Sequence, residues 1–252
     1  CLGRYPNPNF DTTTSIGQKQ QEIYNESGVA VYYNTKVPGN LKIEYLKDYH
    51  ISEKEAFEYL TKIQKVLSFY SGKKPNKIYL ISSFEINGFK AGGFTSFLPD
   101  LMVLNITNDI VNNLHHEMGH VISYKTLNIK KLIKINSVKD SCELVSNYAC
   151  TDSDELFAET WKTAIIENKT TNFSLSLSDL FKDNLTYFKN PNHIDVNAFE
   201  ENLNKLINKE TESFIIKKTD ENMLNSLLQQ YPLIKEINRL DVGDEILFYD
   251  LK

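Results

Sequence analysis

The run His116-Glu117-Met118-Gly119-His120 carries the strongest chemical signal in the chain. Four residues make about one helical turn, so on a helix both imidazoles project from one side and two nitrogens can grip one metal ion. Glu117 stands one position after the first histidine, at the edge of the same site. From there its carboxylate can take a proton from a water that the metal activates. Three of the five histidines crowd at 115, 116 and 120. His115 points away from the pair and is left out of the ligand set.

The segment from Asn108 to Thr126 has the periodicity of a helix. At about 100° per residue, Ile110, Val111, Leu114, Met118, Val121 and Ile122 fall on one broad apolar face. His116 and His120 fall opposite, flanked by Glu117. Thr107 or Asn108 can cap the start, and Asp109 suits the first turn. A helix that buries one face and aims two histidines away from it is what a metal cleft requires.

Zinc in a hydrolytic site takes three protein ligands and keeps one position open for water. The metzincin pattern needs a glycine at 123 and a histidine at 126, where this chain has Ser123 and Thr126. The inverted pattern H-x-x-E-H is absent as well. What remains is a carboxylate from a later helix, and the stretch Thr151 to Trp161 offers one. Thr151 or Ser153 can cap that helix, with acidic residues in its first turn. Leu156, Phe157, Trp161, Ala164 and Ile165 supply its packing. Glu155 and Glu159 lie four apart and share a face. One can bind the metal while the other hydrogen-bonds a ligand histidine and fixes its tautomer. Glu159 has a plainer role open to it, as a helix-face carboxylate paired with Lys162.

The H-E-M-G-H run, followed by Tyr-x6-Glu-x-Phe-Ala-Glu with Glu155 standing 35 residues after His120, resembles a known group of zinc peptidases. These are the catalytic domain of anthrax lethal factor and the related secreted Pro-Pro endopeptidases, compact gluzincins whose third zinc ligand is a glutamate. The resemblance covers roughly Gly28 to Glu167 and is specific at the two motifs. It implies that Glu155 is the ligand and that Glu159 lies outside it in the surrounding shell. It also implies that the Tyr148 hydroxyl donates to the developing oxyanion. The implied activity is that of a zinc metalloendopeptidase with one catalytic Zn2+, acting on protein or peptide substrates.

The elements that must position these residues can be read around them. Val29 to Tyr33 and Leu41 to Leu46 read as strands. Ser52-x-x-Glu55 is a capping box that opens a helix reaching about Tyr70, with Ala56, Tyr59, Leu60, Ile63, Val66 and Leu67 as its stripe. Lys77 to Ser82 reads as a strand. Phe94 to Phe97 and Leu101 to Asn105 read as a hairpin or two edge strands around Pro99-Asp100. Gly92 to Thr95 either forms the edge strand that pairs with an extended substrate or is only a glycine turn. Strands and a helix before the H-E-x-x-H helix, with a helical lobe after it, give an α+β, zincin-like fold class with a small C-terminal extension.

Three segments follow: residues 1–27 as a flexible tether, 28–195 as the peptidase domain and 196–252 as the extension. In the extension, Val196 to Lys209 reads as an amphipathic helix. Phe214 to Lys218, Leu224 to Tyr231 and Val242 to Phe248 read as strand, helices and strand. This order resembles a LysM module, a fold that binds N-acetylglucosamine polymers, although Lys218-Thr219-Asp220 replaces the usual early Gly-Asp-Thr. Peptidoglycan is therefore an expected partner.

The 41% hydrophobic content is enough for a real core. A net charge of −5 and a pI near 5.6 argue against nucleic-acid binding, which needs a basic stripe. The basic cluster from Lys125 to Lys134 is short and interleaved with Leu and Ile. No apolar run approaches a membrane span. Cys142 and Cys150 either pair in an oxidising compartment or stay free, and no Cys-x-x-Cys spacing suggests a zinc site. Cys1 followed by a polar stretch fits bacterial lipoprotein processing, with the only membrane attachment a lipid on that residue. The wealth of Asn, Lys, Ile and Tyr suggests an AT-rich bacterial source. An extracellular or cell-surface location is expected. The rival function is a catalytically silent cell-wall-binding protein that keeps the zincin fold. Glu117 argues against it, because a structural metal site has no use for a base beside its histidines.

Overall fold

Several helices of this chain start where a side chain replaces a missing backbone partner of the first turn. The computed structural model describes residues 7–39, 41, 43–45, 50–82, 84–106, 109–125, 145–166, 193–201, 211–215 and 245–249. The chain is mixed α+β. Its residues fall into two compact units, one of residues 1–70 and 74–121, the other of residues 71–73 and 122–252.

The first unit opens with α1 (Ser15–Ser27). The Thr14 hydroxyl accepts from the Gly17 amide, and Gly28 closes the helix in the left-handed conformation that a side chain disfavours. Ile16 and Ile23 are buried, and Gln20 between them donates to the Val31 carbonyl at 2.9 Å. The expected tether through residue 27 is therefore corrected from Ser15 onward. Few apolar side chains are needed when they recur every three to four residues on one face.

β1 (Ala30–Tyr33) and β2 (Ile43–Tyr45) follow, then α2 (Glu53–Phe69) with the Ser52–Glu55 capping box present in both directions. Ala56, Leu60, Ile63, Val66 and Leu67 bury its stripe, while Tyr59 stays at the margin. Next come β3 (Tyr70–Ser71), β4 (Lys77–Ile81), β5 (Phe84–Ile86), β6 (Phe89–Lys90), β7 (Gly93–Ser96) and β8 (Leu101–Asn105). The main sheet has the order β1-β4-β8-β7. β4 runs parallel to both β1 and β8, and β7 returns antiparallel along β8 as the edge strand, with Thr95 opposite Met102. The two central strands, β4 and β8, are buried on both faces. Tyr79, Ile81, Leu101 and Val103 join Phe84 in one cluster, while Ile78, Leu80, Met102 and Leu104 point the other way. Near-continuous apolar runs in β4 and β8 are the sequence mark of that two-sided burial. β5 and β6, which the sequence did not announce, join β2 in a second antiparallel sheet.

α3 (Ile110–Lys125) follows directly on β8. Ile110, Leu114, Met118, Val121 and Ile122 are buried as its period requires, whereas Val111 is exposed.

In the second unit a short 3-10 turn, Tyr148–Cys150, leads to α4 (Ser153–Ile166). Trp161 is fully buried there, edge-on to Phe199 with centroids 5.3 Å apart and stacked near Phe157. β9 (Ile194–Asp195) runs into helical residues 196–201, whose start is capped by Asp195 accepting from the Ala198 amide at 3.0 Å. The expected boundary between 195 and 196 therefore falls inside this unit. β10 (Thr211–Ile215) pairs antiparallel with β11 (Glu245–Tyr249). The helices expected between those strands, most of the basic cluster after Lys125, and both Cys1 and Cys142 lie outside the described residues. No helix among those described is long and apolar enough to cross a membrane.

Candidate metal centre

α3 presents His116 and His120 one turn apart, as their spacing predicts. Both are buried, and their rings meet nearly edge to face with Nε2 atoms 3.1 Å apart. Two nitrogens sharing one tetrahedral zinc at about 2.0–2.1 Å would lie about 3.3 Å apart. At 3.1 Å the pair is close to that separation.

Glu117 is 4% exposed, so its carboxyl group stands inside the fold and not on a solvated face. It is held from the edge strand. The Thr95 hydroxyl donates to Glu117 Oε2 and lies 3.4 Å from the Glu117 carbonyl oxygen. Gly93, two residues earlier on β7, leaves the room this needs: a Cβ there would sit 2.7 Å from Oε1 and 2.8 Å from Cγ. The stretch Gly92 to Thr95 reads as an edge strand or a glycine turn, and nothing in it signals the contact of Gly93 and Thr95 with Glu117.

His115 turns to another partner. Its Nδ1 is 2.8 Å from the Tyr70 hydroxyl, and burial pulls its pKa down from 6.5 to about 4. It is a neutral, structural histidine.

In the second unit, Asp152 caps α4, in place of the expected Thr151 or Ser153. Its carboxylate accepts from the Glu155 amide at 2.9 Å. Glu155 therefore sits in the first turn with its backbone fixed. Glu159 is buried, accepts from the Ser146 hydroxyl at 3.0 Å, and pairs with Lys162 at 2.7 Å. The Lys162 pairing is the plainer of the two roles read from the sequence. Ser146, another residue without a sequence signal, also accepts from the Ala149 amide and so ties the 3-10 turn to Glu159. Tyr148 opens that turn and is half exposed. Cys150 at its end is disulfide-bonded, its partner outside the described residues.

His116, His120 and Glu155 form a group that could hold a metal ion, the one such group among the described residues. Their ligand atoms all lie within 4.8 Å of one another. No family model, curated protein or solved structure matches the chain. The chemistry of the donors is thus the only guide to function. Two imidazole nitrogens with one carboxylate oxygen fit zinc, and the set is one short of a closed tetrahedral site.

Proposed function

We propose that the chain is a zinc metalloendopeptidase of gluzincin type on a zincin-like fold. One observation carries the reading: Glu117, next in sequence to the first of two histidines already near chelating distance, has a buried carboxyl group gripped by a neighbouring strand. His116, His120 and Glu155 hold the ion. Zinc there supplies Lewis acidity to a water and to the scissile carbonyl. Glu117 accepts a proton from the attacking water and delivers it to the leaving amine nitrogen. The Tyr148 hydroxyl donates to the oxyanion, and Glu159 steadies the surroundings of the ligands. The edge position of β7 suits an extended peptide, which can add to it as a further strand. The disulfide at Cys150 supports an exported protein, since such bonds persist in oxidising compartments. A lipid on Cys1 and a glycan-binding extension fit the same location.

The test is a diverse peptide library incubated with the zinc-loaded protein and read by mass spectrometry, beside Glu117→Ala and His120→Ala. Cuts made by the parent and lost in Glu117→Ala with zinc retained are expected, together with loss of zinc in His120→Ala. A fully metallated His120→Ala would overturn the ligand set. A metallated parent that cuts nothing would overturn the hydrolase.

A further inference from the structure

We infer that Thr95 is a positioning residue for Glu117: its hydroxyl, presented by the edge strand β7, selects the carboxylate oxygen that takes the proton. This rests on the hydrolase reading above. Residues 93 and 95 are two apart on a strand and so face the same side. That side meets Glu117 at both oxygens. Thr95 Oγ1 donates to Oε2, and the bare α-carbon of Gly93 lies beneath Oε1, where any Cβ would come within 2.7 Å.

A glutamate side chain has three rotors, and the last of them, which turns the carboxylate plane, is soft and nearly two-fold. Free to flip, either oxygen could face the water, and each flip would misalign the other. A hydroxyl bonded to Oε2 removes that freedom. Oε1 is then the oxygen that receives the proton of the attacking water and passes it to the amine nitrogen, while the Thr95 proton stays on Thr95. Thr95 is itself 7% exposed, so its bond to the carboxylate is sheltered from competing water. Because the same hydroxyl also approaches the Glu117 carbonyl oxygen at 3.4 Å, the strand and the helix are registered at the residue that does the chemistry.

The experiment compares the full-length, zinc-loaded parent with Thr95→Val and Thr95→Ser on a peptide that the parent cleaves. It measures kcat, KM, zinc content and melting temperature. Valine keeps the shape and the strand preference but removes the donor. The expected result is a kcat lower by on the order of 10- to 100-fold in Thr95→Val with KM and zinc content held, and recovery of most of kcat in Thr95→Ser. A Thr95→Val with the parent's kcat overturns the inference. So does a Thr95→Ser as impaired as Thr95→Val, which would show that returning the hydroxyl does not restore the rate, or a loss confined to KM. If Thr95→Val does not fold or load zinc, Thr95→Ala is judged by the same criteria. If neither folds, the hydroxyl is structural and the inference is overturned. A metallated parent that cleaves no peptide sinks the hydrolase reading and this inference with it. A cleaving parent with an indifferent Thr95→Val sinks the inference alone.

Discussion

Acid should loosen the first unit through His115, and the size of the effect can be worked out. Burial favours the neutral ring, so the folded pKa is about 4 against 6.5 for the ordinary side chain. Above pH 6.5 the ring is neutral in both folded and unfolded chains, and His115 contributes no pH dependence. Between 6.5 and about 4 the unfolded chain binds a proton that the folded chain refuses, so stability falls as the pH falls. At about 1.4 kcal/mol per pH unit, the loss across that window is about 3 kcal/mol. Below pH 4 both states carry the proton and the loss levels off. The perturbation is His115→Asn, which removes the titration and keeps a polar atom within reach of the Tyr70 hydroxyl. The assay is urea unfolding of the metal-free protein from pH 7.5 to 4.5, so that metal release from His116 and His120 does not enter. The remaining titrating groups are common to both proteins. Lowering the pH should therefore cost the parent more than the variant, by about 1.4 kcal/mol for each unit below 6.5. Parallel pH profiles for the two would refute the reasoning, because they would mean that His115 accepts its proton as easily in the fold as out of it.

Gly93→Ala should leave zinc binding and folding intact while lowering kcat by on the order of 10²-fold. Gly93 is not among the glycines with positive φ, so the backbone admits alanine, but its Cβ must push the Glu117 carboxylate aside. Steady-state kinetics with zinc analysis would check this, and an unimpaired variant would show that Glu117 need not stay where it is. Tyr148→Phe should lower kcat by on the order of 10²-fold with little change in KM, as expected for a donor used only in the transition state. An unchanged rate would make Tyr148 an ordinary surface tyrosine. Lys73→Met should destabilise by about 1–2 kcal/mol in chemical denaturation. Its ammonium donates to the Lys125 carbonyl at the end of α3 and pairs with Glu200 at 2.8 Å, but both side chains keep partial contact with water.

What the sequence made legible was whatever repeats within one element. The spacing of His116 and His120, the Ser52–Glu55 box and the stripe Ala56, Leu60, Ile63 and Leu67 are all properties of a single helix, fixed by a 3.6-residue period. β4 and β8 announced themselves by length and apolar content. The misses have two physical origins. α1 reads as a tether because two isoleucines and a glutamine dominate its buried face, too few apolar residues to show in composition. Yet its ends, Thr14 and Gly28, were there to be read as caps. The contact of Thr95 with Glu117 is hidden for a different reason. The two meet across a separation of 22 residues, through a strand order that places β7 at the edge. No local pattern encodes that register.

The same long-range contact bears on enzyme against silent binding protein. Burying a carboxylate forfeits its hydration, at a cost of several kcal/mol unless bonds inside the fold replace it. A helix that only had to hold an ion would be more stable with an apolar residue between its histidines, as it has at Met118 on the core side. Here position 117 carries an enclosed carboxyl group, with a donor on the neighbouring strand and a glycine where any side chain would collide. Three residues from two elements, Gly93, Thr95 and Glu117, thus agree on keeping a carboxylate at a place where stability alone would exclude it. A structural metal site gives no reason for that agreement, and proton transfer beside the histidines does.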